Sequence, residues 1–231
     1  MRQQPLPLGF DPLQGFEEFH AGPNTELVAH LQSLAAAGPE PFIYLWGGGA
    51  QGKTHLLNAC CRDAHRRGFS CAYLPLPTLK LHGTQMLDGL DQLDLVCLDD
   101  LEEITGDPAW EQGLFSLFNG LRERGRRLLT AARQPPAQLP VALPDLKTRL
   151  EWGLTLHLAP LADADKLQAL HLQARSMGLD LPPLAGRYLM AHRERDLGSL
   201  RRLLQELDRA TLAAQRKLTV PFIKAYLEQR P

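Results

Sequence analysis

A glycine-rich stretch of eight residues constrains the fold of this 231-residue chain more than any other feature. It reads Gly47-Gly48-Gly49-Ala50-Gln51-Gly52-Lys53-Thr54 and matches the pattern G-x-x-x-x-G-K-[ST] at every fixed position. An apolar run at 42–46 precedes it, and a helical pattern from Lys53 to about Arg66 follows it. In this order of strand, glycine loop and helix, backbone N–H groups converge on a polyphosphate. The stretch therefore predicts a P-loop.

Three side chains near this loop are candidates for phosphate and metal chemistry. Lys53 brings a positive charge to the phosphate oxygens, and the Thr54 hydroxyl completes a Mg²⁺ shell. Asp99 follows an apolar run at 93–98, which predicts that its carboxylate lies at the carboxyl edge of a sheet and holds Mg²⁺ through water. Asp100 follows the same run one residue later, and we expect its carboxylate to orient an attacking water. The alternative for this acidic pair is a strand followed by a polar turn.

Short apolar runs alternate with helical patterns through the first two thirds of the chain. The runs lie at 42–46, 72–76, 93–98, 127–132 and 155–158. Such alternation predicts an α/β domain with a parallel sheet of five strands, covered by helices on both faces. A helix over 24–36 precedes the sheet, with Asn24 as its expected N-cap.

From residue 161 onward only helical patterns remain, which predicts a small all-helical domain. Apolar residues spaced three or four apart mark one helix that stops at Gly178 and a later one over 197–207. We expect an extended tail over 1–12, the α/β domain over 13–158 and the helical domain over 159–231.

Charge and cysteine usage exclude several classes of protein. Lys and Arg number 25 against 26 for Asp and Glu, so the chain lacks the basic excess of a protein whose main task is to hold nucleic acid. Any DNA contact is expected to be local and weak. The four cysteines form no C-x-x-C pair, and the chain has no long apolar segment. We expect a cytoplasmic protein of a reducing compartment, without a membrane partner.

Three segments resemble the AAA+ module of the DnaA-related family of replication initiators. They are the P-loop with its continuation to Leu57, the pair Asp99-Asp100, and the stretch from Pro144 to Gly153. The resemblance covers about residues 14–231 and implies an AAA+ α/β domain, a helical lid, and ADP or ATP with Mg²⁺ as cofactors. It implies that nucleotide contacts come from Gly47, Gly48, Gly49, Ala50, Gln51, Gly52, Lys53, Thr54, His55 and the lid residue Arg195. Helical spacing leaves Arg193 and Arg201 as alternatives to Arg195.

Within that family the chain is similar to short regulators of the Hda type. Initiators carry a long N-terminal region and a C-terminal DNA-binding domain, neither of which we expect in this protein. The resemblance implies a negative regulator of DNA replication initiation, with the initiator DnaA and the DNA polymerase sliding clamp (beta subunit) as partners. The resemblance is also compatible with a homo-oligomer of this chain. The tail has the form of a clamp-binding peptide, in which Gln3 bonds at a pocket rim while Leu6 and Leu8 fill an apolar groove.

Arg149 is the residue that the resemblance singles out. In the family this position supplies an arginine finger to a neighbouring subunit, where a guanidinium neutralises charge that develops on the γ-phosphate. For this chain it implies that Arg149 acts in trans on ATP bound by DnaA. The alternative is a surface arginine paired with Asp145 or Glu151.

One departure from the family pattern concerns ATP hydrolysis by the chain itself. Ala132 stands where the initiators have a polar residue that positions the attacking water. Own ATPase activity is therefore expected to be weak. An alternative function is a DNA-acting ATPase such as a helicase loader, which would need to hydrolyse ATP itself and to carry a more basic surface. A third possibility is a metabolic P-loop kinase, which would need a substrate-binding insert that we do not find in the sequence.

Two further patterns in the same region predict structure. Large apolar residues from Trp110 to Leu121 are spaced as one face of a helix and are expected in the core. Four arginines follow, at 122, 124, 126 and 127, and predict either a solvated helix end or a face toward DNA.

Overall fold

The computed structural model describes residues 14–192 and 197–228. These residues form two compact units. The first comprises residues 14–16, 24–49 and 53–159, and the second comprises residues 160–192 and 197–228 with the short segments 17–23 and 50–52. In the part of the chain so described, the helices are too short or too polar to span a membrane.

The first unit is built on five parallel strands. They are β1 (Phe42–Trp46), β2 (Cys71–Pro75), β3 (Leu95–Asp99), β4 (Arg127–Ala132) and β5 (Leu154–His157), in the spatial order β2-β3-β4-β1-β5. Every residue of β3 and β4 is buried, as expected for inner strands covered on both faces. The predicted α/β class and the five-stranded parallel sheet are confirmed.

Strand β3 begins two residues later than the apolar run predicts. Asp94 precedes the strand and is bonded to the turn before β2, where the backbone N–H and the hydroxyl of Ser70 both donate to its Oδ2, at 2.9 and 2.7 Å. These hydrogen bonds hold the pKa of Asp94 below its usual range. The polar side chain therefore fixes the start of the ladder at Leu95.

Five helices accompany the sheet: α1 (Thr25–Ala35), α2 (Lys53–Arg66), α3 (Leu76–Lys80), α4 (Pro108–Glu123) and α5 (Pro144–Glu151). Helix α1 begins directly after Asn24, but the predicted cap is wrong in its bonding. The Asn24 amide instead donates to the Ala159 carbonyl at 3.0 Å and accepts from the Ala159 N–H at 2.8 Å. The Asn24 side chain, which the local sequence predicts to cap α1, is therefore bonded instead to a residue 135 positions away in the chain.

Helix α4 packs its apolar face into the core of this unit. The residues of the predicted stripe are all buried, which confirms that prediction; they are Trp110, Leu114, Leu117, Phe118 and Leu121. Asp107 caps the helix, since its Oδ1 accepts from the N–H groups of Ala109 and Trp110 at 3.0 and 3.3 Å.

The second unit contains helices α6 (Asp163–Ser176), α7 (Pro183–His192), α8 (Leu197–Ala214) and α9 (Val220–Glu228). Its core is formed by leucines and other apolar residues from all four, including Leu170, Leu189, Leu204 and Ile223. Helix α6 ends as predicted near Gly178, which has φ +74°, a left-handed conformation that favours glycine after a helix. The predicted helical lid domain is confirmed.

Candidate functional site

The P-loop lies where the sequence places it, between β1 and α2. Its first residue is tied to the neighbouring strand, because the Gly47 N–H donates to the Ala132 carbonyl at the end of β4 at 3.2 Å. Strands β1, β3 and β4 are parallel, so their carboxyl ends meet at one edge of the sheet. The loop, Asp99 and Ala132 therefore lie at the same edge.

The conformation of the loop differs from what its glycines suggest. Within the described residues the positive φ angles of this loop occur at Ala50 (+55°) and Gly52 (+106°), and not at the three consecutive glycines. The left-handed turn thus rests on an alanine. At Gly49 a Cβ atom would stand in open space, and the buried amide oxygen of Gln51 has no hydrogen-bond partner in the described part of the chain. Both features fit a loop shaped to receive a polar ligand.

Lys53 is held by the backbone of its own loop. Its Nζ donates to the carbonyls of Gly47 and Gly48, at 2.8 Å each, and the residue is only 6% exposed. Burial lowers the pKa of this ammonium, while the carboxylates of Asp99, Glu102 and Asp100 act in the opposite direction. The cation is therefore poorly hydrated and lies among carbonyls, an arrangement that an anionic ligand would stabilise.

Asp99 and Thr54, the two predicted Mg²⁺ ligands, are in direct contact. Thr54 Oγ1 donates to Asp99 Oδ2 at 2.6 Å, and Asp99 is 1% exposed at the end of β3. Burial raises the pKa of this carboxyl, although the hydrogen bonds it accepts act against the shift. A hydroxyl and a carboxylate side by side are oxygen donors of the kind that Mg²⁺ prefers.

Tyr73 belongs to the same group of side chains, and sequence reasoning missed it. Its hydroxyl donates to Asp99 Oδ2 at 3.0 Å from the neighbouring strand β2. Burial, followed by the nearby carboxylate, raises its pKa. The signal was the position of Tyr73 two residues before the end of an apolar strand. The β2–β3 register pairs Tyr73 with Cys97, two residues before Asp99, so the tyrosine reaches Asp99 diagonally across the two strands.

Asp100 occupies a conformation that few residues adopt. Its φ and ψ are both 55°, the left-handed region in which Asp and Asn are tolerated better than most residues. Its N–H donates to Asp99 Oδ1 at 3.1 Å. The chain therefore turns sharply after β3, and the Asp100 backbone helps to hold the Asp99 carboxylate.

The end of β4 offers few polar side chains to this edge of the sheet. Ala132 is fully buried opposite Trp46, and the nearest hydroxyl on the strand, Thr130, is buried opposite Tyr44 and Leu98. Arg133 follows and pairs with Glu102, Nε to Oε1 at 3.0 Å. The position of the expected polar residue is thus filled by a methyl group.

His55 lies on the buried side of α2. A ring nitrogen, Nε2, is 2.8 Å from the carbonyl oxygen of Gly15. The structure thus gives this ring a partner in the segment before α1.

Arg149 lies on α5 and stacks on an exposed aromatic ring. Its guanidinium carbon is 4.1 Å from the ring centroid of Trp152, which is 52% exposed. Among the described residues no ion pair joins Arg149 to Asp145 or Glu151, the partners of the alternative interpretation. Arg149 is therefore a half-buried cation on a surface helix and pairs with no carboxylate in the described part of the chain.

Both ends of α5 are fixed by contacts that sequence reasoning missed. Glu111, 1% exposed on α4, accepts from the N–H of Gly106 at 2.7 Å and from those of Ala142 and Leu143, just before α5, at 3.0 and 2.7 Å. After α5, a Cβ on Gly153 would lie 2.3 Å from the Phe42 carbonyl oxygen, so only glycine fits there. A glutamate in an apolar helix face and a Trp-Gly pair were the available signals.

The arginines at and after the end of α4 are mostly engaged within the chain. Arg124 pairs with Asp91 at 2.9 Å, and Arg126 pairs with Asp94. Arg127 is buried against the ring of Phe69, with 4.8 Å from Cζ to the centroid. The guanidinium of Arg122 lies 4.2 Å from the Trp152 centroid. The sequence predicted a solvated end or a DNA face; the structure shows an end tied down by internal pairs.

Several predicted residues fall outside the described part of the chain. These are the tail residues Gln3, Leu6 and Leu8 and the lid candidates Arg193 and Arg195. Arg201, the other lid candidate, lies on α8. Within residues 14–192 and 197–228 no cluster of three or more His, Cys, Asp or Glu side chains is placed to hold a metal ion.

Solved structures with the same fold include DnaA replication initiation proteins and a Holliday junction branch migration motor. Domain III of the replication initiation protein DnaA from Thermotoga maritima superposes with a TM-score of 0.81 at 19% identity, covering 96% of this chain and 99% of that chain. DnaA from Aquifex aeolicus gives 0.70 at 20% identity over 85% and 66%. The Thermotoga maritima RuvB branch migration motor gives 0.63 at 16% identity over 88% and 68%. The fold is that of AAA+ proteins.

Family models locate the relationship within that fold. The model described as "Bacterial DnaA ATPAse domain" matches residues 79–157, which span part of the α/β unit, and the model described as "Hda, lid domain" matches residues 163–227. The two matches are adjacent in the chain, and the boundary between them coincides with the boundary between the two units near residue 160. The chain is therefore a DnaA-related AAA+ protein with an Hda-type lid domain.

Proposed function

We propose that this protein is a negative regulator of DNA replication initiation, which promotes hydrolysis of the ATP bound by DnaA to ADP and so prevents re-initiation. The observation that carries the proposal is the contrast between its two sites. The P-loop edge carries Lys53, Thr54 and Asp99, which would bind nucleotide and Mg²⁺, but has a methyl group where a water-positioning side chain is expected. Arg149 lies on a fixed surface helix with no carboxylate partner in the described ion pairs.

Nucleotide binding by the chain itself is supported by its donor set. Lys53 would contact the phosphates, and Thr54 with Asp99 would hold Mg²⁺, consistent with their 2.6 Å contact. The Aquifex aeolicus DnaA that shares this fold was solved with AMPPCP bound. In the bound state Mg²⁺ would offset phosphate charge. We propose ADP, or ATP, as the resident nucleotide, with Arg195 of the lid as a further contact.

Weak hydrolysis by the chain follows from the end of β4. A water-positioning group must reach the attacking water with a polar atom, and Ala132 has none. Thr130 is buried two residues earlier in the strand and pairs with Tyr44 and Leu98. The resident nucleotide would therefore stabilise the fold rather than drive a cycle of work, which disfavours a helicase loader.

Arg149 would act in the nucleotide site of DnaA. A guanidinium is planar and always charged, so it can make two parallel hydrogen bonds to phosphate oxygens. Glu111 and Gly153 fix the ends of α5, so the backbone of Arg149 is ordered before the partner arrives. The guanidinium, which lies against the Trp152 ring, would then contact a γ-phosphate that the partner brings to it.

The tail would bring the protein to its place of action. In this proposal Gln3, Leu6 and Leu8 bind the DNA polymerase sliding clamp, so that the regulator acts where replication has begun. With the clamp and DnaA as partners, the protein would work in the bacterial cytoplasm. Because most arginines after α4 are paired internally, any DNA contact of its own would be weak.

The test is turnover of DnaA-bound ATP in the presence of clamp on DNA. Arg149→Ala should lower the stimulated rate by about 10³-fold, the usual effect of an arginine finger. ADP binding and clamp binding should be unchanged. Arg149→Lys should rescue poorly, since a point charge cannot reproduce the planar fork. Full stimulation by the alanine variant would show that the proposed mechanism is wrong.

A further inference from the structure

Two arginines share the exposed ring of Trp152. The guanidinium carbons of Arg122, on α4, and Arg149, on α5, lie 4.2 and 4.1 Å from its centroid. The separation of the two guanidinium carbons is therefore at most the sum of these two distances. At such a separation the two positive charges repel one another. We call these three residues the Trp152 platform.

The carboxylates near the platform pair with other arginines. Asp91 is engaged by Arg124 and Asp94 by Arg126. Among the ion pairs of the described residues, none includes Arg122 or Arg149. The cation–π contacts hold the guanidiniums in place but do not neutralise them. Within the described residues, the platform thus carries two positive charges that pair with no carboxylate, and an anionic ligand would compensate them.

The platform is built on ordered backbone. Trp152 follows α5 directly, and its N–H donates to the Arg149 carbonyl at 3.2 Å, which keeps the two residues adjacent. The Glu111 hydrogen bonds before α5 and the close approach of Gly153 to Phe42 after it hold both ends. An exposed tryptophan flanked by arginines is also the composition typical of binding hot spots.

Resting on the function proposed above, we infer that the Trp152 platform is a two-guanidinium recognition surface for the triphosphate of a nucleotide held by a second AAA+ protein. Arg122 is then a second anion-binding residue beside Arg149. A triphosphate presents several charged oxygens along one chain, so it can satisfy both guanidiniums at once. The indole ring contacts both guanidiniums and so holds them near one another at an exposed position.

The first experiment probes the platform without any partner protein. The full chain, loaded with ADP and Mg²⁺, is titrated with inorganic tripolyphosphate while the indole N–H resonance of Trp152 is followed by NMR; Trp152→Phe assigns that resonance. We expect a saturable shift. Arg122→Gln should raise the half-saturating concentration about tenfold, the effect of losing one hydrogen bond to a charged group. Arg124→Gln removes the same charge two residues away and should change it less than twofold.

Three results would overturn the inference. They are the absence of a saturable shift, equal weakening by Arg122→Gln and Arg124→Gln, and a single-stranded oligonucleotide that shifts the resonance at lower concentrations than tripolyphosphate. The last would identify a nucleic-acid surface instead.

A second experiment separates this inference from the proposed function. In the assay of DnaA-bound ATP turnover, Arg122→Gln should raise the concentration of regulator needed for half-maximal stimulation about tenfold, with a smaller fall in the maximal rate than Arg149→Ala causes. Arg122→Lys should restore part of the loss. If the wild-type chain stimulates no turnover, the proposed function is wrong, and the tripolyphosphate titration still decides whether the platform binds triphosphate.

Discussion

Asp99 shows, at the scale of one residue, how burial and hydrogen bonding oppose each other at the P-loop edge. The carboxyl accepts from Thr54, Tyr73 and the Asp100 N–H, yet burial dominates and raises its pKa. An acid whose pKa is raised on folding binds more protons when folded than when unfolded. Its contribution to stability is therefore lost as pH rises from the unfolded pKa through the folded one. Wherever Asp99 is ionised in the folded state, its buried charge destabilises the free protein.

Asp99→Asn should therefore stabilise the protein without ligand. The amide removes the buried charge, and the Thr54 and Tyr73 hydroxyls can rotate to accept from its NH₂ group. A gain of about 1 kcal/mol would raise Tm by roughly 2–4 °C. The further rise in Tm on adding ADP should lose its dependence on Mg²⁺. Thermal unfolding with ADP, with and without Mg²⁺, measures both effects, and an Asp99→Asn variant that melts earlier than wild type would contradict the argument.

At the scale of elements, α5 depends on a side chain of another helix. Glu111 lies on α4 but bonds the two N–H groups that precede α5 and a third at Gly106. Its two oxygens thus satisfy three backbone donors, for which a buried carboxylate with several lone pairs is suited. The helix that carries Arg149 is positioned by this contact as much as by its own sequence.

Glu111→Gln should disturb the α5 region while leaving nucleotide binding intact. One carboxylate oxygen becomes an NH₂ group that faces backbone donors, which costs about 2 kcal/mol or more. Tm should fall by roughly 4–8 °C. Stimulation of DnaA-bound ATP hydrolysis should fall more than ADP affinity does. Glu123→Gln, the same change at the exposed end of α4, is the control; equal effects of the two variants would refute the role of Glu111.

For the whole molecule, sequence patterns predicted the strands, the P-loop and the helical lid because these depend on local periodicity and spacing. They missed the contacts that join distant residues. Asn24 was expected to cap α1 but bonds Ala159, and Tyr73 reaches Asp99 only through the β2–β3 register. Glu111 looked like one polar residue in an amphipathic helix. Such pairings depend on which elements meet in space, and a single sequence does not record this.

The proposed division of labour between the two sites gives the last prediction. If the P-loop edge only holds nucleotide while Arg149 acts on DnaA, neutralising Asp100 should leave regulation intact. The substitution suits this test because Asp100 has φ +55°, and asparagine tolerates that conformation as well as aspartate does. Asp100→Asn should therefore fold normally, bind ADP, and stimulate hydrolysis of DnaA-bound ATP within about twofold of wild type, since asparagine keeps the size and the backbone preference of aspartate. Arg149→Ala, measured beside it, should stimulate hardly at all. If Asp100→Asn abolishes stimulation while keeping ADP affinity, the chain must hydrolyse its own nucleotide to act. It would then be a motor of the loader type, and not a regulator that donates an arginine.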